Sequence, residues 1–161
     1  MLKYGLVSLI TVILLLSACG TNKVSEEKQG SQNEKEALYK SDYFTVFSIE
    51  GWSLEKESTN RTLNVIFSKD QTKAIITSLS VKKSNEEIKT DLINGAGNVE
   101  IIENKDDYVS FKTKLKTSIR TDIYIKESNN QTIVVTFMTP DLNYENAKKD
   151  EEKFLNKVEV H

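Results

Sequence analysis

Three consecutive stretches of extended-chain patterning, at 107–116, 118–126 and 132–138, restrict this chain of 161 residues to folds built on an antiparallel sheet. Successive side chains of a strand point to opposite faces, so an alternating stretch carries one apolar and one polar side. The first stretch predicts Val109, Phe111, Thr113 and Leu115 inward and Tyr108, Ser110, Lys112 and Lys114 outward. The second predicts Ile119, Thr121, Ile123 and Ile125 inward against Arg120, Asp122, Tyr124 and Lys126. The third is apolar throughout and belongs near the centre of the sheet. Tight turns, such as Ser128-Asn129-Asn130-Gln131, make the three an antiparallel meander.

Upstream, Phe44, Val46, Phe47 and Ile49 predict a strand, Gly51 a turn after it, and Trp52 a large core residue, with a ligand-stacking role as the alternative for this single tryptophan. Residues 62–67 and 73–82 alternate around the turn 68–71 and predict a hairpin. Ser84-Asn85-Glu86-Glu87 has the form of a capping box. Ile88, Leu92 and Ile93 share one face of the helix that follows, and Gly95-Ala96-Gly97 ends it. A dinucleotide loop precedes its helix, so this Gly-x-Gly is a helix stop. Residues 99–103 predict a short strand. Pro140 closes the meander, and Asp141 or Asn143 caps a final helix over 144–157 with Tyr144, Ala147, Phe154, Leu155 and Val158 on a narrow apolar stripe. The sum is an α+β domain: an antiparallel sheet of about six or seven strands with two helices, mainly over one face.

The amino terminus carries a different kind of information. Met1-Leu2-Lys3 is followed by an uncharged apolar run from Tyr4 to Leu16, the length and composition of an export signal. A membrane span would need about 20 apolar residues, whereas polar Gly20-Thr21-Asn22-Lys23 follows directly. Leu16-Ser17-Ala18-Cys19-Gly20 resembles the bacterial lipoprotein signal, the lipobox, at every position. The resemblance implies a diacylglyceryl group on Cys19, cleavage between Ala18 and Cys19, and a protein held by lipid on the extracytoplasmic side of the cell membrane. Two acyl chains hold stably where one holds marginally. Residues 1–18 are then the signal peptide and 19–41 a lipidated flexible tether, since 21–36 offers little apolar surface beyond Val24 and only a transient polar helix near 33–40. Residues 42–161 form the single domain.

The order strand, Gly-Trp, hairpin, helix, meander, Pro and Tyr-bearing helix looks like the PsbP-like group of small α/β sandwiches. The residues that carry it are Phe47-Ser48-Ile49-Glu50-Gly51-Trp52, Met138-Thr139-Pro140, Tyr144 and Phe154, within 43–158. The resemblance implies an αβα-like fold and a non-enzymatic role in binding or assembly, and it brings no catalytic residues.

Elementary chemistry narrows the function further. A net charge of −2 with 29% charged residues, interspersed in sign, gives no nucleic-acid footprint. The single histidine is the terminal His161 and the single cysteine is Cys19, which argues against Ser-His-Asp or Cys-His catalysis, zinc sites and any disulfide. The acid pairs Glu86-Glu87, Asp106-Asp107 and Glu151-Glu152 are sequence neighbours and not opposed across a cleft. Residues 104–108 lack the glycine of a calcium loop. No cofactor or metal is therefore expected. The outward set Lys112, Lys114, Arg120, Tyr124 and Lys126, with Asp122, is the candidate binding face: if nothing covers it, it presents a mostly basic surface to an envelope protein, peptide or polymer. The leading expectation is a non-enzymatic, membrane-anchored binding lipoprotein. Alternatives are an immunity or exclusion lipoprotein that intercepts a membrane-active peptide, and a carboxylate-based envelope hydrolase.

Overall fold

The computed structural model describes residues 36–60, 62–80, 82–128 and 131–161. Cys19, the cleavage bond and most of the expected tether lie outside the described residues. Among the described residues ten strands fall into two antiparallel sheets. A small sheet joins β1 (Ala37–Lys40), β2 (Phe44–Phe47) and β10 (Val158–Val160) in the order β1-β2-β10. The large one contains β3 (Ser53–Ser58), β4 (Leu63–Lys69), β5 (Thr72–Leu79), β6 (Val99–Asn104), β7 (Tyr108–Thr113), β8 (Ile119–Ser128) and β9 (Gln131–Pro140), in the order β3-β4-β5-β9-β8-β7-β6. Helix α1 spans Asn85–Ala96, and helix α2, entered through a 3-10 turn at Asp141–Asn143, spans Tyr144–Leu155. The α+β class, the hairpin β4-β5 and the meander β7-β8-β9 match the sequence expectation.

Residues directly opposite in antiparallel strands share a face. One face of the large sheet therefore carries the rows Phe67, Ala74, Phe137, Asp122, Ser110 and Val65, Ile76, Val135, Tyr124, Tyr108. The apolar half of this face packs against Phe44 and Val46 of β2, Val158 of β10 and Phe154 of α2. Phe154 contacts the rings of Trp52, Phe67 and Phe137 at 4.5, 5.3 and 5.7 Å, so Trp52 is a core residue. The opposite face carries Val109, Phe111, Ile123, Ile125 and Val134 under Ile88 and Leu92 of α1.

Helix α1 forms as its capping box requires: Ser84 Oγ accepts from Glu87 N at 3.3 Å, and Ser84 N donates to Glu87 Oε2 at 2.8 Å. Gly97, at φ 79°, terminates it. Buried Lys89 fastens the helix to the β6–β7 turn, its Nζ donating to Asn104 Oδ1 at 2.8 Å and Lys105 O at 2.6 Å.

Several expectations are corrected. The helices lie on opposite faces of the large sheet, because each helix covers a different set of apolar rows. Residues 37–40 are strand, not a transient helix, because Ala37, Tyr39 and Lys40 register with β2. The final helix stops at Leu155, and the chain turns back into β10, which pairs with β2 through Val158, Glu159 and Val160. Leu115 lies beyond the end of β7 and is 67% exposed, so it does not point inward.

Candidate functional site

The polar face expected to be open is covered in its central part by α2 and by the start of β10. Asp122, only 2% exposed, accepts from Tyr108 Oη at 3.0 Å on Oδ1 and from Tyr144 Oη at 2.6 Å on Oδ2. Arg120 donates from Nε to Ser110 Oγ at 2.9 Å, lies 3.8 Å from Asp122 Oδ1, and sets its guanidinium carbon 4.3 Å from the Tyr144 ring centroid. The planar cation thus fills the gap between the first turn of α2 and the sheet. Tyr124 is packed between Tyr108 and Phe137, with ring centroids 4.8 and 6.0 Å away. Lys126 donates to Leu155 O at 3.2 Å and Val158 O at 3.3 Å, so its ammonium satisfies the last carbonyl of α2, where positive charge is favourable, and the first carbonyl of β10.

The candidate binding face is corrected accordingly. Arg120, Tyr124 and Lys126 form one polar seam beneath α2 rather than an open surface, because Tyr144 and Leu155 bring the helix down onto them. Lys112, directly opposite Arg120 in the β7–β8 ladder, lies 3.6 Å from Glu100 of β6, and Lys114 is exposed past the end of β7. The seam extends through Glu151, 3% exposed, which accepts from Thr139 Oγ1 at 2.7 Å. Thr139 Oγ1 also lies 3.0 Å from Thr72 Oγ1. One hydroxyl has one proton to donate. With Glu151 ionised, Thr139 donates to it and accepts from Thr72; with Glu151 protonated, the order can reverse.

The seam's titrations follow from burial. Burial raises the Tyr144 phenol, and its hydrogen bond to Asp122 adds to the effect. Tyr108 is pushed up to about 12, again chiefly by burial. Burial pushes Glu151 up to about 7, with the nearby Asp122 charge contributing, while the Thr139 hydrogen bond, Arg120 and Lys148 act in the opposite direction. Burial draws the Lys126 ammonium down.

Two clefts flank this framework. A polar one of about 420 Å³ lies between the β4–β5 turn and the start of α2, lined by Trp52, Lys69, Asp70, Thr72, Asn146 and Asp150 among others. An apolar one of about 300 Å³ lies on the other face, between α1 and the strands β5 and β9. Leu79, Ile88, Leu92 and Val134 form its walls, the Thr62, Thr77 and Thr136 hydroxyls provide polar points, and Lys83 and Asp91, paired at 2.6 Å, contribute charge. Among the described residues no group of three or more His, Cys, Asp and Glu side chains could hold a metal ion.

No protein-family model matches the chain, and no curated protein sequence matches it. Among solved structures it is similar to cyanobacterial PsbP (CyanoP) from Synechocystis sp. PCC 6803, with 9% identity and a TM-score of 0.45 over 73% of this chain and 86% of that one. It is also similar to a Bacteroides thetaiotaomicron protein, with 13% identity and a TM-score of 0.42 over 73% of this chain and 45% of that one. At these identities no residue role passes from either protein to this chain.

Sequence reasoning missed both clefts and the role of Glu151. One signal for the glutamate was present: position 151 falls on the stripe Tyr144, Ala147, Glu151, Phe154, where a carboxyl among apolar positions points to a buried partner. Its titration has a measurable consequence. A carboxyl raised from 4.5 to about 7 makes the folded state bind more protons than the unfolded one in that window, so its contribution to stability is full below 4.5 and is lost as pH rises through 7. Glu151→Gln should therefore match the wild type near pH 5 and exceed it at pH 8 by about 2–3 kcal/mol, measured by urea unfolding across pH. A difference that does not vary with pH would contradict the assignment.

Proposed function

We propose that this chain is a lipid-anchored extracytoplasmic binding protein, held at the membrane through Cys19, whose domain takes an amphipathic ligand in the apolar cleft beneath α1. The observation that carries the binding half of this reading is the cleft itself. Its volume is about 300 Å³, and its aliphatic walls are interrupted by a few hydroxyls and one ion pair. Small-molecule sites have this composition: apolar surface supplies affinity and a few placed polar groups fix orientation. The ligand chemistry that fits is an aliphatic chain lying against Leu79, Ile88, Leu92 and Val134, with its polar end toward Lys83 and Asp91.

Binding without turnover is supported by where the carboxyls stand. Asp150, on the wall of the polar cleft, is held below the usual carboxylate range by its hydrogen bond to Lys69, which suits it poorly to donate a proton. Glu151, the carboxyl raised toward neutrality, is buried against Thr139 under α2. The anchoring half rests on the resemblance of Leu16-Ser17-Ala18-Cys19 to the lipobox. No helix among the described residues is long and apolar enough to cross a membrane.

Anchoring is checked by fractionation of the expressing cells, in which Cys19→Ser should move the protein from the membrane to the soluble fraction. An unchanged membrane fraction would refute the lipid anchor. Ligand binding is checked by titrating a single-chain lysophospholipid against the domain and following the amides of β5, β9 and α1 by NMR. Thr136→Phe, which fills the cleft from a strand position, should weaken that binding at least about ten-fold. Unchanged affinity would remove the apolar cleft as the site.

A further inference from the structure

The polar cleft on the other face is built from groups whose chemistry favours a different ligand. Gly51, at φ 80°, lets the Lys69 stem pass close by: a Cβ at position 51 would meet Lys69 Cε at 3.0 Å and Cδ at 3.3 Å. The ammonium is then fixed on Asp150 Oδ2 at 2.7 Å, while Lys153 holds the other oxygen of Asp150 at 3.3 Å. Across the cleft, Asn143 Nδ2 donates to Gln71 Oε1 at 2.6 Å, and Asn146 and Asp70 complete the polar lining. Trp52 contributes to the wall, and its buried indole N–H has no acceptor among the described residues.

Charge selects the ligand class. Lys69 and Lys153 balance Asp70 and Asp150, so neither a strongly anionic nor a strongly cationic ligand gains net attraction. The cleft instead combines donors and acceptors: an ammonium, carboxamides, a Thr72 hydroxyl and carboxylates, groups with capacity for further hydrogen bonds. Neighbouring hydroxyl groups, each both donor and acceptor, match that combination, and Trp52 in the wall adds apolar surface for the carbon skeleton that carries them. From this we infer that the cleft formed by Lys69, Thr72, Asn146 and Asp150 with Trp52 binds a neutral polyhydroxylated ligand, such as a saccharide unit of an envelope polymer.

The site is independent of the apolar cleft, and Trp52 is the single tryptophan of the chain, so its fluorescence reports on this wall alone. Glucose, galactose and N-acetylglucosamine are titrated at millimolar concentration against the wild-type protein, with Trp52 emission and amide shifts of the β4–β5 turn and the start of α2 as readouts. At least one sugar should give a saturable change in both. Asn146→Ala, at an exposed helix position, and Asp150→Asn should each weaken it at least about ten-fold with the far-ultraviolet circular dichroism unchanged. Thr136→Phe in the other cleft should leave it unaltered, which separates this site from the apolar one. No saturable response to any of the three sugars, or a response equal in the Asn146 and Asp150 variants, would overturn the inference. So would binding of glucose 6-phosphate without binding of glucose.

Discussion

Helix α2 can rest on the sheet because the Asp122 carboxylate is hydrogen-bonded on both oxygens. A carboxylate withdrawn from water without partners costs several kcal/mol, more than the burial of one aromatic ring returns. Tyr144 Oη and Tyr108 Oη occupy one oxygen each, and Arg120 lies alongside. Tyr144 belongs to the first turn of α2, so the interaction that satisfies the charge also positions the start of the helix. At the other end, Phe154 enters the aromatic cluster and Lys126 donates to the terminal carbonyl of Leu155. The helix is thus pinned by charge at its start, by apolar contact near its end and by Glu151 between them.

This fixing of α2 determines what is left for ligands. With Tyr144, Ala147, Glu151 and Phe154 directed along its sheet-facing stripe, Asn143, Asn146 and Asp150 fall on the flank and wall the polar cleft against the β4–β5 turn. The Thr72 hydroxyl belongs to both systems: it lines that cleft and stands next to Thr139, the partner of Glu151. On the opposite face α1 covers the β7-β8-β9 half of the sheet through Ile88 and Leu92, and the apolar cleft opens where β5 meets that cover. Both clefts therefore arise where a helix narrower than the sheet leaves part of it accessible.

The regular parts of this arrangement are legible in the sequence and the covering parts are not. Alternation fixes which residues of β7 and β8 share a face, and the capping box and Gly97 delimit α1. Alternation cannot reveal whether a polar face meets water or a second layer, so Arg120, Asp122, Tyr124 and Lys126 read as solvent-facing until Tyr144 and Leu155 are placed above them. Strand β3 is almost wholly exposed, and its charged sequence, suited to protecting a sheet edge, resembles a loop. Strands β1 and β10 contain four and three residues, too few to show a period, and they exist because β2 pairs with both. The clefts depend on side chains distant in sequence, Lys69 with Asp150 and Thr77 with Leu92, which no local pattern joins.

The pinning of α2 by Asp122 is tested most directly by a double-mutant cycle with Tyr144→Phe and Asp122→Asn, measured by equilibrium unfolding. Each single change weakens the same hydrogen bond, so the double variant should be less destabilised than the sum of the two by about 1–3 kcal/mol. Additivity within about 0.3 kcal/mol would show that the two groups act independently and that something other than this contact holds the helix on the sheet.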